Sequence, residues 1–212
     1  MSAAPVLLPY GDRAVLVELA STREAVAYAS ALRARGSVAG AGPVGEVVPA
    51  ARTVLVVAAE GVGVADLRAH LADVVPTTLA TGADGPMVEI PVTYDGADLA
   101  EVAALTGLSE REVVTAHTGQ TWQVAFGGFA PGFGYLVGED DRLHVPRREE
   151  SRTRVPAGAV GLAGEYSGIY PRSSPGGWQL IGRTDVVLWD LDRDPAALLA
   201  PGVRVRFVEV GR

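Results

Sequence analysis

Two stretches in the second half of the chain combine dense glycine and proline with aromatic side chains. The first runs from Phe126 to Leu136 and the second from Ser174 to Thr184. Gly and Pro interrupt both stretches too often for an ordinary helix or strand, yet solvent loops normally lack the Phe, Tyr and Trp that they carry. Loops that hold aromatic groups at tight backbone bends commonly line a binding site. The sequence therefore predicts a groove shaped by these two loops.

The residue types that are missing restrict the chemistry of the chain. All 18 basic residues are Arg, and Cys is absent. This excludes a phosphate-loop lysine, a Schiff-base lysine, a biotin-carrying lysine, a thiol nucleophile and Cys-bound zinc. The three histidines, His70, His117 and His144, do not show metal-ligand spacing, so we expect no metal. A net charge of -7 argues against a nucleic-acid partner.

Neither a signal peptide nor a membrane span is recognisable, so the expected location is the cytoplasm. Residues 1–80 predict a small α+β domain in the order ββαββα. Its capping box, Ser21 to Glu24, opens a helix that reaches about Arg35. The other expected elements are Val6–Tyr10, Arg13–Leu19, Val44–Val48, Thr53–Ala59 as strands and Val64–Val75 as a helix.

A linker rich in Gly and Pro is expected at Pro76–Pro86. Residues 87–212 then predict a mainly β domain, because short apolar runs alternate with Gly, Pro and Arg-rich turns. Two helices interrupt the pattern, Asp98–Thr106 and a capped helix from Ser109 to His117. The expected strands are Val88–Thr93, Thr121–Phe126, Leu143–Val145, Ala159–Ala163, Gln179–Ile181, Val186–Asp190 and Val203–Val208.

Arginines concentrate between residues 147 and 183 of this acidic chain. Their planar guanidinium groups suit bidentate binding of a carboxylate or phosphate. Neighbouring glutamates make internal ion pairing the alternative for any single Arg. Arg183 is the exception to this alternative. It lies in a Gly-Arg-Thr turn beside an apolar strand, where a long charged side chain is unexpected unless it has a role. The set is Arg147, Arg148, Arg152, Arg154, Arg172 and Arg183.

The best candidate for a general acid or base is His117, which ends a capped helix just before the first aromatic loop. The helix dipole alone also favours a histidine at this end. The loop aromatics are either core side chains or walls of a binding site. They are Phe129, Phe133, Tyr135 and Trp178.

An ordered series of unusual residues resembles the bacterial family of the B-type 5-oxoprolinase subunit, also called allophanate hydrolase subunit 1 or KipI-like. The resemblance covers nearly the whole chain. Two positions depart from it: Ser151 precedes Arg152 where the family has Pro, and Trp122 replaces an expected Tyr. The matching residues are Glu89-Ile-Pro-Val-Thr-Tyr94, Leu108-Ser-Glu-Arg-Glu112-Val-Val, Phe129-x-Pro131-Gly132-Phe133-x-Tyr135-Leu136, Pro146-Arg147, Arg152, Val155-Pro156-x-Gly158-x-Val160, Gly168-Ile-Tyr170-Pro171 and Ser174-Pro-Gly-Gly-Trp178-x-Leu-Ile-Gly-Arg183-Thr184.

This resemblance implies an N-terminal α+β domain followed by a cyclophilin-like β-barrel. It also implies pairing with a sister subunit (the C-type 5-oxoprolinase subunit or allophanate hydrolase subunit 2), with the A-type 5-oxoprolinase subunit as a possible third protein. The assembly would open 5-oxo-L-proline to L-glutamate with ATP, whose site lies on or is shared with a partner. This chain alone is expected to be inactive.

Two other functions stay open at this point: a carboxyltransferase-type subunit of allophanate hydrolase or urea carboxylase, and a KipI-like inhibitor of a histidine kinase. For the enzyme, the expected catalytic residues are His117 and Arg183. The expected substrate contacts are Phe129, Phe133, Tyr135, Arg147, Arg152, Tyr170 and Trp178.

Overall fold

Alternating buried valines along two central strands organise the first unit, residues 1–83. The computed structural model describes residues 5–36, 42–74 and 85–211. Four antiparallel strands lie in the order β1-β2-β4-β3, and the buried face of the sheet packs with two helices in one apolar cluster. The elements are β1 (Val6–Tyr10), β2 (Ala14–Glu18), α1 (Thr22–Gly36), β3 (Val44–Pro49), β4 (Thr53–Ala58) and α2 (Val64–Ala72).

The element order of this unit is the predicted ββαββα. The Oγ of Ser21 accepts a hydrogen bond from the Glu24 N–H at 3.2 Å, as the capping box requires. Helix α2 ends at Ala72, short of the predicted Val75, which lies outside the described residues. Most of the predicted linker, residues 76–84, also lies outside them, and its role as a domain boundary stays a prediction.

A seven-stranded sheet that almost closes on itself forms the second unit, residues 84–212. The strand order is β12-β9-β10-β7-β6-β13-β5, and a separate pair joins β11 to β8. The elements are β5 (Met87–Val92), α3 (Leu99–Thr106), α4 (Glu110–Thr118), β6 (Trp122–Gly127), β7 (Gly134–Val137), β8 (Arg152–Val155), β9 (Ala159–Ala163), β10 (Tyr166–Ile169), β11 (Ser174–Gly176), β12 (Gln179–Arg183) and β13 (Arg204–Glu209).

A bridge between Thr93 and Arg183 connects the two edges of the sheet. Each residue donates its N–H to the carbonyl oxygen of the other at 2.9 Å. The sheet edge therefore has a partner, as in a barrel. The expectation of a mainly β, barrel-like second half is confirmed, while its cyclophilin-like identity stays a prediction.

Two predicted strands are wrong. Residues Asp141–Leu143 form a 3₁₀ turn instead, because the Asp140 carboxylate accepts from the Arg142 N–H; beyond it only Val145 forms a single bridge, to Gly164. The run Val186–Asp190 does not join the sheet: Leu188 enters the barrel core, and the backbone of Leu188 and Asp190 bonds to Leu198 and Ala196 instead.

The aromatic stretches contain two strands that the sequence does not predict, β7 in the first stretch and β11 in the second. The strand predicted at Gln179–Ile181 is confirmed as β12, which continues to Arg183. Glycine is tolerated there because the backbone of another strand comes close. A Cβ on Gly182 would lie 2.6 Å from the Thr93 carbonyl oxygen. The register of β12 also shifts between Leu180 and Gly182, so the strand is irregular at this position.

Candidate functional site

The two aromatic stretches meet at a cavity of about 270 Å³. Arg147 and Ser151, from a third segment, and Tyr170 complete its wall. The lining residues are Phe129, Phe133, Tyr135, Arg147, Ser151, Tyr170, Pro175, Gly176 and Trp178. The sequence-based prediction that the two loops shape one groove therefore agrees with the geometry.

Aromatic edges and faces hold the cavity wall together. The ring of Phe133 packs at right angles against Trp178, with 5.3 Å between centroids, and against Tyr170 at 5.5 Å. It also contacts Tyr135 at 5.1 Å and Phe129 at 5.2 Å. Such edge-to-face pairs fix ring orientation beyond what burial alone provides. The wall is thus preorganised, with Phe133 at its centre.

Phe129 lies over this wall in a strained backbone conformation. Its φ angle is 65°, in the left-handed region that a bulky residue rarely adopts, and it is the only described non-glycine residue with positive φ. Its side chain is 57% exposed and its ring also meets Tyr170 edge-on at 5.9 Å. Strain of this kind marks functional loops more often than scaffold. Phe129 is therefore an exposed part of the cavity lining that is held in a strained conformation.

Close packing by glycine positions the polar groups of the cavity. A Cβ on Gly176 would lie 2.3 Å from the Tyr170 hydroxyl, and one on Gly177 would lie 2.8 Å from the Ser151 Oγ. The same Gly177 position is 3.5 Å from a guanidinium nitrogen of Arg147. Any larger residue at these two glycines would displace the groups that face the cavity.

Arg147 supplies a cation to the aromatic wall. Among the described residues its guanidinium has no hydrogen bond or ion pair. Burial raises the pKa of Tyr135 and of Tyr170, and the nearby Arg147 opposes this in both cases. At neutral pH the cavity therefore presents one positive charge beside two protonated phenols, which can donate hydrogen bonds.

Two other predicted arginines do not line the cavity. Arg183 extends into solvent and pairs with Asp95 at 3.0 Å. Arg152 pairs instead with the buried Asp98 at 2.7 Å. The structure thus brings six of the seven predicted substrate contacts to one cavity and leaves out Arg152 and the predicted catalytic Arg183.

His117 also lies away from the cavity, in the core of the barrel. It is fully buried, its ring stacks on Phe207 at 4.2 Å, and its two nitrogens bond the hydroxyls of Tyr94 at 2.7 Å and Ser167 at 2.9 Å. Burial lowers the pKa of His117 to about 3. A neutral imidazole enclosed by core residues can organise packing, and its position gives no support to a role as acid or base.

Two residues at or near the site, Ser151 and Asp98, are not predicted from the sequence, whereas Pro175 and Gly176 belong to the second aromatic stretch. The sequence marks Ser151 only as a departure from the family pattern, and Asp98 only as the start of a helix. No sequence spacing connects Asp98 to residues about 50 and 80 positions later, so only the fold reveals this contact.

Within the described ranges, three or more His, Asp or Glu side chains do not gather as metal ligands would. The helices of the same ranges are too short or too polar to cross a bilayer.

The sequence of residues 5–199 matches the family model described as carboxyltransferase domain, subdomain C and D. Curated relatives named as the B subunit of 5-oxoprolinase match at 44–54% identity. The one from Escherichia coli O157:H7 is 54% identical over 124 residues, 57% of this chain and 57% of its own length. These matches confirm the resemblance found in the sequence. The chain spans 53–61% of the length of these curated relatives.

Urea amidolyase from Saccharomyces cerevisiae is 55% identical over 92 residues, which is 42% of this chain and 5% of the yeast protein. Among solved structures, a conserved uncharacterized protein from Pyrococcus horikoshii has a TM-score of 0.58 and 33% identity. That match covers 98% of both chains, so the fold is shared from end to end.

Proposed function

The chain belongs to the carboxyltransferase-domain family, subdomains C and D, and from this premise we propose that it is the substrate-binding subunit of an ATP-dependent 5-oxoprolinase. The relatives named as the B subunit of 5-oxoprolinase support this choice. The observation that carries the proposal is Arg147, a guanidinium without an ion pair among the described residues, at the wall of an aromatic cavity.

Charge and size both favour a small carboxylate as the ligand. A guanidinium binds a carboxylate through two parallel hydrogen bonds, and the aromatic rings beside Arg147 can pack against the apolar part of a small ligand. The cavity volume of about 270 Å³ lies just below the range of about 300–1,000 Å³ found for drug-sized ligands. A five-membered lactam acid such as 5-oxo-L-proline suits both constraints.

The protonated phenols give the chain a second role toward the amide. Tyr135 and Tyr170 can each donate a hydrogen bond to a lactam carbonyl oxygen, where negative charge develops when the ring opens. The lining residues include no Asp, Glu or His that could move a proton. We therefore assign binding and polarisation of the substrate to this chain and proton transfer to a partner.

ATP use is assigned to the assembly. The chain has no Lys to contact phosphates, and the cavity is small for a nucleotide. We propose that the ATP site lies on, or is shared with, a C-type sister subunit, with an A-type subunit as a third member. We expect the complex in the cytoplasm, because its reaction consumes ATP.

The test is ATP-dependent release of glutamate from 5-oxo-L-proline by purified candidate subunits, with and without this chain. We expect glutamate only from the complete mixture and none from the chain alone. The proposal fails if no combination releases glutamate, or if the partners release it equally well without this chain.

The likeness to urea amidolyase favours a second candidate, a carboxyltransferase or allophanate-hydrolysing subunit. Allophanate also joins a carboxylate to an amide, so the same cavity could bind it. The assay separates the two: ammonia release from allophanate without glutamate release from 5-oxoproline would favour this candidate. The third function, inhibition of a histidine kinase, stays a prediction. The cavity favours it less, because a cavity of this size suits a small ligand better than a peptide.

A further inference from the structure

A buried carboxylate at the start of α3 links two walls of the cavity. Asp98 is 3% exposed. Its Oδ1 accepts hydrogen bonds from Arg148 Nη1 at 2.8 Å and from Arg152 Nη2 at 2.7 Å. Its Oδ2 accepts from the Leu180 N–H at 2.7 Å. One side chain thus connects a helix start, a barrel strand and the arginine-rich segment.

The two arginine partners carry cavity residues directly before them in the chain. Arg148 follows Arg147, and Arg152 follows Ser151. The Arg148 N–H also donates to the Gly177 carbonyl oxygen at 2.8 Å, which ties this segment to the second aromatic stretch. A shift of Arg148 would therefore move the adjacent Arg147.

The third partner fixes the opposite wall. Leu180 lies two residues beyond Trp178 on the same stretch. Besides the bond to the carboxylate, the Asp98 N–H donates to the Leu180 carbonyl oxygen at 2.9 Å. Asp98 is therefore bonded to Leu180 through both its backbone and its side chain, which leaves little freedom for the chain near Trp178.

We propose that Asp98 is a positioning residue, which sets the place of the Arg147 guanidinium relative to the Trp178 wall. This inference rests on the proposed function of the cavity as a carboxylate site. Asp98 has no contact with the cavity itself, so its effect on binding runs through Arg147.

The alternative is that the cluster only stabilises the fold. A buried ion pair is weak evidence for that, because apolar replacements are often as stable. The cluster is also incompletely bonded: Arg148 Nε and Arg152 Nη1 are two of the four buried side-chain N and O atoms without a partner among the described residues. Buried polar side chains with unsatisfied hydrogen-bonding atoms are more often retained for a functional site than for stability.

The experiment compares Asp98→Asn with Asp95→Asn in the assembled complex, using 5-oxo-L-proline and ATP. Asp95 is a matched control on the same loop, since it pairs with an exposed arginine outside the cavity. We expect Asp98→Asn to raise KM for 5-oxoproline about tenfold, the effect of losing one charge-assisted hydrogen bond. Asp95→Asn should leave KM unchanged.

A double-mutant cycle separates positioning from plain stability. In an Arg147→Met background, Asp98→Asn should change KM by less than about twofold, because the group that it positions is gone. An equal rise in KM in both backgrounds, or no rise in either, would overturn the proposal. Arg148→Met tests the same link and keeps the Asp98 bonds to Arg152 and Leu180, should Asp98→Asn not fold.

A second measurement needs no substrate. Amide hydrogen exchange of the Arg148 N–H should be about tenfold faster in Asp98→Asn than in Asp95→Asn, because the segment loses its anchor. If exchange at Arg148 is the same in both variants, the positioning role is wrong. A complex that does not process 5-oxoproline but shows this exchange difference would refute the proposed function alone.

Discussion

Phe129 combines an exposed aromatic ring with a backbone angle that suits glycine. Left-handed geometry costs a residue with a Cβ about 1–2 kcal/mol. We therefore expect the free energy of unfolding of Phe129→Gly to be about 1 kcal/mol higher than that of Phe129→Ala, because the alanine variant keeps the strain. Both variants should bind 5-oxo-L-proline about tenfold more weakly, since both lose the apolar contact of the ring.

Chemical denaturation and isothermal titration of the two variants in parallel test this prediction. Equal stability of the glycine and alanine variants would show that the left-handed backbone is not strained. Affinity equal to the parent in both would show that the ring does not cover the ligand.

His117 makes the stability of the barrel depend on pH. Its pKa is about 3 in the folded chain because of burial, against 6.5 for an ordinary histidine. Between these values the unfolded chain binds one proton more than the folded chain. The stabilisation is therefore complete above pH 6.5 and is lost as the pH falls toward 3, by about 1.4 kcal/mol per pH unit.

Urea denaturation between about pH 7 and pH 4 measures this slope. His117→Gln, which keeps hydrogen-bonding capacity but does not titrate, should lose less stability over the same range. Parallel pH profiles for parent and variant would contradict the account of His117 as a buried neutral core residue. Glutamate release by a reconstituted His117→Gln complex should persist, in contrast to what the sequence alone suggested.

At the scale of elements, closure of the barrel depends on Gly182 in β12. A Cβ there would come within 2.6 Å of the Thr93 carbonyl oxygen and 2.9 Å of the Val92 side chain. We expect Gly182→Ala to destabilise the chain by about 1–3 kcal/mol, as overpacking does. Gly211→Ala is the control, because its Cβ would meet nothing within 4 Å. Equal melting temperatures for the two variants would show that the sheet edges are not held together at this point.

Sequence patterns predicted elements well where local signals decide. The capping box at Ser109 and Glu112 starts α4 as expected, because both reciprocal bonds lie within one helical turn. Val186–Asp190 resembles a strand because four of its five residues are apolar, yet Leu188 alone among them is buried, and Val187 and Trp189 are exposed. Strand β10 (Tyr166–Ile169) was missed because its Ser and Gly residues carry no strand signal.

The residues of the site could be predicted where the local sequence is unusual, with aromatic residues among Gly and Pro. Phe129, Phe133 and Trp178 were found because aromatics among Gly and Pro require an explanation. His117 and Arg183 were chosen for chain position, yet the fold turns one into the core and the other toward solvent. Chain position fixes neither outcome, because side-chain direction depends on pairing between distant strands.

At the scale of the whole molecule, the chain is acidic, but the cavity of the second unit carries a positive charge. The net charge is -7, yet Arg147 faces the cavity without a counter-ion among the described residues. Arg147 is the one charged side chain among the residues that line the cavity, and this local cation connects the fold to a carboxylate ligand. Loss of the Arg147 guanidinium should therefore weaken the binding of a carboxylate.

Calorimetric titration of the assembled complex with 5-oxo-L-proline tests the role of Arg147 as the carboxylate-binding residue most directly. Arg147→Met and Arg206→Met are the matched variants. Arg206 is an exposed arginine, and its Nη1 lies 3.8 Å from Glu89 Oε1, near the upper limit of an ion-pair distance. We predict that Arg147→Met weakens binding at least about tenfold, through loss of a charge-assisted bond, and that Arg206→Met binds like the parent. Unchanged affinity in Arg147→Met, or a loss only in Arg183→Met, would contradict the account.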